Sequence, residues 1–148
     1  MINDNLKALG ELRLVLRNEK GEVKKDITVP NIITTAGKAH IAIRMAGTAQ
    51  AVMTHMELGT GTTNPAVGDT TLETIVSGSR QSLASWTAST NTITATCTFA
   101  AGTGTGALTE AGIFNASSSG TMIARTEFDV INKAAADSLT VSWTITIS

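Results

Sequence analysis

The chain has 148 residues, a formal net charge of −1 at pH 7 and a sequence pI near 6.1. A chain of this length suits one domain that buries roughly 70% of its unfolded surface without needing metals or disulfides. The near-neutral charge removes the basic surface that nucleic-acid binding normally needs, and no apolar run approaches the roughly 20 residues that span a bilayer. We therefore expect neither nucleic acid nor a membrane as a partner.

The charged residues are unevenly placed along the chain. Of the 23 charged residues, 11 lie in the first 26 positions, and none lies between Arg80 and Glu110. The remainder is rich in Thr, Ser, Ala and Gly, a composition that suits flat β surfaces able to pack on neighbouring chains. The first residues lack the basic-then-apolar order of a signal peptide, so we expect the protein to be made and kept soluble in the cytoplasm of whatever cell expresses it.

The N-terminal part predicts an arm followed by a charged hairpin. Residues 1–10 show no clear period, so we predict an N-terminal arm over 1–10 and a single domain over 11–148. The leucines of residues 12–16 then alternate with Arg13 and Val15, which predicts a strand. A turn at residues 18–21 would lead to a second strand that ends at Pro30, because proline cannot donate to a ladder.

One helix is expected, at about residues 36–46. Thr34 or Thr35 can cap its start, and Gly47 follows its end in the usual position. We predict that His40 points away from the buried side of this helix. The predicted buried side is shallow and is made of Ala39, Ala42, Ile43 and Ala46.

The stretch at residues 58–72 predicts an ordered loop that leaves a sheet. It holds three glycines, and alternating residues before it have the period of a strand. A phosphate-binding loop would need a helix behind the glycines or a Gly-Lys-Ser/Thr ending, and this stretch has neither. Asn64-Pro65 and Gly68-Asp69 favour turns instead.

The second half of the chain reads as strands separated by turns. We predict strands over residues 79–87 and 92–99, a hairpin over 108–130, and a last strand over 139–147. In the second of these strands, Cys97 falls on the apolar side and is interpreted as a small buried hydrophobe. The last strand should be central, because each of its five large apolar side chains gains about 1.5–3 kcal/mol on burial.

Short strands at regular spacing with one helix favour an all-β fold. We predict an antiparallel β-sandwich that is jelly-roll-like, with the short helix at about 36–46. An immunoglobulin-like sandwich is the alternative.

Four stretches of the sequence resemble a known group of proteins. The pattern Gly-Thr-Gly-Thr-Thr-x-Pro-x-x-Gly-Asp-Thr-x-Leu at residues 59–72 resembles a phrase that recurs in small structural proteins of tailed bacteriophages. These are capsid decoration (cement) proteins or tail-fibre-associated modules. Residues 29–37, 110–114 and 139–147 fit the same resemblance, which is carried by framework residues of turns and strands rather than by chemical groups.

The sequence shows no constellation of catalytic or metal-binding residues. His40, His55 and Cys97 have no short-range partners at metal-ligand spacing, and no serine lies in a nucleophile elbow. The carboxylates are scattered, and no two stand out as an acid–base pair. We therefore expect no enzyme activity, no metal and no cofactor; a small hydrolase would need a catalytic constellation that the sequence does not reveal.

The resemblance implies a non-enzymatic virion protein that binds the outside of an assembled capsid and stabilises its shell. The expected partners are the major capsid protein and copies of the chain itself, as a dimer or trimer. The copies would associate through neutral faces such as that of Thr92, Thr94, Thr96 and Thr98. A tail-fibre or baseplate module, which binds another tail protein or the host surface, is the alternative. The candidate partner-binding residues are the basic ones near the N-terminus: Lys7, Arg13, Arg17, Lys24 and Lys25.

Overall fold

The computed structural model describes residues 4–148 as nine antiparallel β-strands and one α-helix. All nine strands join in one sheet, in the order β4-β3-β7-β8-β2-β1-β9-β6-β5. This confirms the all-β class with one short helix, whereas the jelly-roll arrangement stays a prediction. The elements are β1 (Ala8–Arg17), β2 (Val23–Ile33), α1 (Thr35–Met45), β3 (His55–Gly59), β4 (Gln81–Ser82), β5 (Ser85–Ser89), β6 (Thr92–Phe99), β7 (Gly106–Phe114), β8 (Met122–Lys133) and β9 (Ser138–Ile147).

The sheet curls so that its two halves face each other across the core. Most of β2 pairs with β1, but Ile32 and Ile33 pair with β8, so β2 belongs to both halves. Between β4 and β5 the chain crosses to the opposite half: the Leu83 N–H donates to Thr54 and the Ala84 N–H to Thr96, each at 2.8 Å. The resulting sandwich-like body encloses one main cluster of buried apolar side chains.

The prediction that the second strand ends at Pro30 is wrong, because β2 continues to Ile33. Proline cannot donate a ladder hydrogen bond, but Pro30 lies where β2 is about to leave β1 for β8. Its carbonyl accepts a hydrogen bond of 2.7 Å from the Thr126 hydroxyl. Pro30 therefore lies close to the change of partner, and the strand continues on its new neighbour.

The central position predicted for the last strand is confirmed. β9 lies between β1 and β6, and its inward side chains from Leu139 to Ile145 are buried. Trp143 is fully buried, and its indole N–H donates to Asn31 Oδ1 at 2.9 Å. The period-two alternation of the sequence was sufficient to predict this strand because one of its faces packs on the core.

The helix forms where it is predicted but presents a different side to the core. Thr34 caps it, accepting a hydrogen bond of 2.9 Å from the Gly37 N–H. The buried residues are Gly37 and His40, whereas the predicted alanine face is exposed, so the prediction for His40 is wrong as well. Gly37 lies so close to the backbone of Ile123 that a Cβ would overlap it, and this contact fixes the rotation of the helix.

The predicted arm over residues 1–10 is too long. β1 begins at Ala8, and the backbones of Lys7 and Ser148 exchange hydrogen bonds of 2.6 and 2.8 Å. Residues 7–10 thus belong to the β body, paired with the end of β9. Residues 1–3 lie outside the part of the chain that the structure describes.

The remaining boundaries differ from the sequence prediction in two places. The strand expected over residues 79–87 is divided into β4 and β5 by the crossing at Leu83, and β8 extends to Lys133, past the predicted hairpin. Cys97 is fully buried, as predicted, and burial raises the pKa of its thiol to about 12.

The two faces of β9 give a direct test of the fold. Val141→Ala should lower the free energy of unfolding by about 2–3 kcal/mol, because it removes buried methyl groups and leaves a cavity. The neighbouring change Thr140→Ala, on the outer face, should cost less than about 1 kcal/mol. Urea unfolding of both variants checks this, and equal losses would contradict the assignment of faces.

Candidate functional site

The loop at residues 59–73 is held by one buried carboxylate. Glu110, on β7, is fully buried. Its Oε1 accepts hydrogen bonds from the Gly61 and Thr74 N–H groups at 3.0 and 2.8 Å, and its Oε2 accepts one from the Glu73 N–H at 3.0 Å. Glu110 therefore binds the loop at both of its ends and ties it to the central strand.

Arg125 neutralises this carboxylate from the neighbouring strand β8. Its Nε and Nη2 donate to Glu110 Oε2 at 3.0 and 2.8 Å. The same guanidinium also contacts the loop: Nη1 donates to Asp69 Oδ2 at 2.7 Å, and Nη2 donates to the Thr63 carbonyl at 3.2 Å. One guanidinium thus joins the sheet to the middle of the loop, an arrangement that suits its fixed fork of donors.

The glycines of the loop allow this close approach. A Cβ on Gly61 would lie 2.6 Å from Glu110 Oε1. The carbonyl of Gly61 also accepts a hydrogen bond of 2.6 Å from the Thr109 hydroxyl. The Gly-x-Gly pair therefore serves to bring the backbone onto Glu110, as in other close backbone approaches.

Two further carboxylates of the loop have lowered pKa values. Burial alone would raise the pKa of Asp69, but hydrogen bonds from the Ala66 N–H and from Arg125 outweigh it and lower that pKa. The pKa of Glu73 is lowered mainly by hydrogen bonds from the backbone and hydroxyl of Thr63. Both groups are therefore ionised at neutral pH and help to hold the loop in one conformation.

The chemical role of this cluster is to fix the loop. Both oxygens of Glu110 accept at least two hydrogen bonds, and Arg125 is almost fully buried. Beside the cluster lies an open depression of about 450 Å³, lined by loop threonines together with Asp69, Glu73 and Arg125. The cluster gives this depression a rigid floor.

A second buried ion pair fixes the turn between β7 and β8. Arg80 Nη2 contacts Glu57 Oε2 at 2.9 Å, and its guanidinium carbon lies 3.6 Å from the centre of the Phe114 ring. Its Nη1 donates to the Ala116 carbonyl at 2.9 Å. Arg80 therefore combines an ion pair with a cation–π contact at the end of the half-sheet.

The structure places the predicted basic residues on the β1–β2 hairpin and just before it. Three of them have partners within the chain. Arg13 forms a two-point contact with Asp26 at 3.0 and 2.7 Å, Lys24 binds Asp137 at 2.6 Å, and Lys25 donates to the Val130 carbonyl at 2.9 Å. Lys7 and Arg17 have no side-chain hydrogen bond or salt bridge within residues 4–148. The five residues therefore form no single cluster of free charge.

The outer faces of β5, β6 and β9 form an array of hydroxyl groups without charge, and Glu11 and Arg13 of β1 border this array opposite Thr144 and Ser142. Each outward threonine of β6 lies opposite a hydroxyl residue of β9, and three of them also lie opposite one of β5. Two of the cross-strand hydroxyl contacts measure 2.6 Å, between Ser85 and Thr96, and 3.5 Å, between Thr98 and Thr140. The array consists of Thr92, Thr94, Thr96 and Thr98 on β6, Thr140, Ser142, Thr144 and Thr146 on β9, and Ser85, Thr87 and Ser89 on β5.

Sequence reasoning missed Glu110 and Arg125 as a pair. Within residues 4–148 no His, Cys, Asp and Glu side chains are grouped so that they could hold a metal ion, and no helix in this range is long and apolar enough to cross a membrane. A sequence signal did exist for Glu110: it follows a long uncharged stretch, in a segment whose neighbours are apolar. Its partner could not be identified without the pairing of β7 with β8.

Comparison of the chain with family models, with curated proteins and with solved structures gave no match.

Glu110→Gln tests the role of the buried carboxylate. The amide nitrogen of glutamine is itself a hydrogen-bond donor, so it would face the two or three N–H groups that now donate to a carboxylate oxygen. Arg125 would also lose its buried counter-charge. We expect a loss of about 3–5 kcal/mol in the free energy of unfolding, as for other broken buried pairs. Faster amide exchange at Gly61 and Thr74 should accompany it. The control Glu11→Gln, on an exposed position of β1, should change neither measurement, and an unchanged Glu110→Gln stability would refute the assigned role.

The lowered pKa of Asp69 gives a pH-dependent prediction. A carboxylate whose folded pKa lies below its ordinary value of 3.8 contributes stability above that pH, and the contribution disappears as the pH falls through the folded pKa. Asp69→Asn should therefore be less stable than wild type at pH 7, and the difference should shrink toward pH 2. Urea unfolding at both pH values measures it, with Asp129→Asn, an exposed position on β8, as the control.

Proposed function

We propose that this protein is a non-enzymatic structural protein of a tailed bacteriophage that decorates the outer surface of the capsid and stabilises its shell. The observation that carries the proposal is the spatial convergence of the stretches that resemble such proteins. Glu110 of one stretch binds Gly61 of another, while Thr34 of a third donates to the Met122 carbonyl at 2.6 Å on the strand that carries Arg125. Two of the four stretches, residues 59–72 and 110–114, thus contact each other directly, and a third contacts β8, the strand that pairs with β7.

The shape and charge of the body support binding to a large, regular partner. A loop fixed by buried ion pairs and a core between two half-sheets give a rigid domain, which loses little conformational entropy when it binds. The uncharged hydroxyl array can pack on another surface without desolvating charges. We propose that copies of the chain associate through this array, as a dimer or trimer on the particle.

The basic residues contribute to attachment in this proposal. Lys7 and Arg17 are the candidates for contact with carboxylates of the shell, because Arg13, Lys24 and Lys25 already have partners within the chain. Attachment through exposed charges would weaken as salt screens them. The alternative is a tail-fibre or baseplate module, which the same resemblance allows.

The test is decoration of purified capsids that lack the protein. The full chain should bind these capsids and not purified tails, and binding should weaken with added salt. Deletion of residues 1–6 should leave circular dichroism and melting nearly unchanged while weakening the binding, since β1 begins only at Ala8. Binding to tails but not to capsids would replace the proposed function with the tail alternative.

A further inference from the structure

Helix α1 and its surroundings form an exposed surface with two adjoining hollows. We call it the α1 surface and define it by Leu6, Lys38, Ile41, Arg44, Met45 and Val52. The hollows have volumes of about 370 and 220 Å³, and Ile41 and Met45 line both of them as a common wall. The larger hollow reaches the core between the half-sheets at Trp86 and Ile123.

Large apolar side chains are exposed on this surface. Met45 is 79% exposed, Leu6 73% and Val52 44%. Apolar residues that are scattered singly on a surface need no explanation, but a contiguous group around two hollows marks an interaction site. The hollows can accept apolar side chains of a partner, which is how anchor residues contribute most of the energy of an interface.

The charge on this surface has one sign. Lys38 and Arg44 are the only charged residues between Asp26 and Glu57, so α1 carries two cations and no acid. Neither forms a salt bridge within residues 4–148, and Arg44 donates only to the Gln50 carbonyl, at 2.8 Å. These cations differ from those of the β1–β2 hairpin, where Arg13 and Lys24 already bind carboxylates of the chain.

The wall of the larger hollow also contains a buried polar atom that has no hydrogen-bond partner within residues 4–148. This atom is Nδ1 of His40, which is 5% exposed; the Oε1 of Gln50 is likewise buried and unbonded in this range. Burial, and then the charge of Arg44, lower the pKa of His40, although Gln50 opposes the shift. The imidazole is therefore neutral at pH 7 and adds no positive charge to the wall of the hollow.

We propose that the α1 surface docks a segment of the capsid shell protein that inserts apolar side chains into the two hollows and sets carboxylates against Lys38 and Arg44. This inference rests on the proposed function for the identity of the partner. A second copy of the chain fits less well, because a two-fold contact through this surface would bring the cations of both copies together. An acidic and apolar segment meets both features of the surface at once.

The experiment measures binding of full-length variants to capsids that lack the protein. Met45→Asp should weaken binding by about 10-fold or more, because it places a charge at the wall that both hollows share. Lys38→Glu should weaken binding by about 10-fold and reduce its dependence on salt. Both positions are exposed, so circular dichroism and melting should match wild type.

The matched control lies outside both the α1 surface and the β1–β2 hairpin. Ile75→Asp adds the same charge at an apolar residue that is 48% exposed, in the segment that bridges to Gly59 at the end of β3. It should bind within about 2-fold of wild type. A wild-type chain that binds no capsids would overturn the proposed function. If the wild type binds capsids and both Met45→Asp and Lys38→Glu bind them as tightly, only the assignment of the α1 surface as the docking site is overturned. If Met45→Asp instead abolishes self-association without affecting capsid binding, a second copy is the occupant and the inference is wrong.

Discussion

The contact between Glu110 and Arg125 is the constraint on which the long loop depends, together with the half of the sheet that contains β7 and β8. Five hydrogen bonds converge on the two carboxylate oxygens, three from the loop backbone and two from the guanidinium. A loop of this length would otherwise lose its order to conformational entropy, and its backbone donors would lie beside the core without partners. The pair thus substitutes for regular secondary structure where the chain leaves the sheet.

A buried ion pair of this kind contributes more to specificity than to net stability. Removing two charges from water costs several kcal/mol, which their attraction and the surrounding hydrogen bonds offset. The pair favours one loop conformation, because Gly61, Glu73 and Thr74 must all reach Glu110 to complete its hydrogen bonds. Alternative loop conformations would leave Glu110 Oε1 without either of its hydrogen bonds and Arg125 without Asp69, and both losses cost free energy.

The sequence predicted the parts of the fold in which one face of an element packs on the core. The alternation in β6 and β9 located both strands and their buried sides, and Thr34 and Gly47 located the helix. The side that α1 buries could not be predicted, because Gly37 touches the Ile123 backbone and no periodicity records such a contact. The prediction that the second strand ends at Pro30 failed for a related reason: a residue that terminates pairing with one strand can lie close to the start of pairing with another. Arg125 could not be recognised from the sequence, because its role depends on which strand lies beside β7.

The two ends of the molecule differ in whether their charged side chains have partners within the chain. At the tip of the β1–β2 hairpin, Lys24 binds Asp137, and burial of this carboxylate group within a turn makes the contact part of the fold. At the other end, α1 presents Lys38 and Arg44, which form no salt bridge within residues 4–148, next to exposed apolar side chains. A charge that already has a partner must lose it before binding, whereas a free charge beside an apolar hollow loses only water. This difference supports the proposed attachment at the α1 end and leaves the hydroxyl array for the proposed contacts between copies.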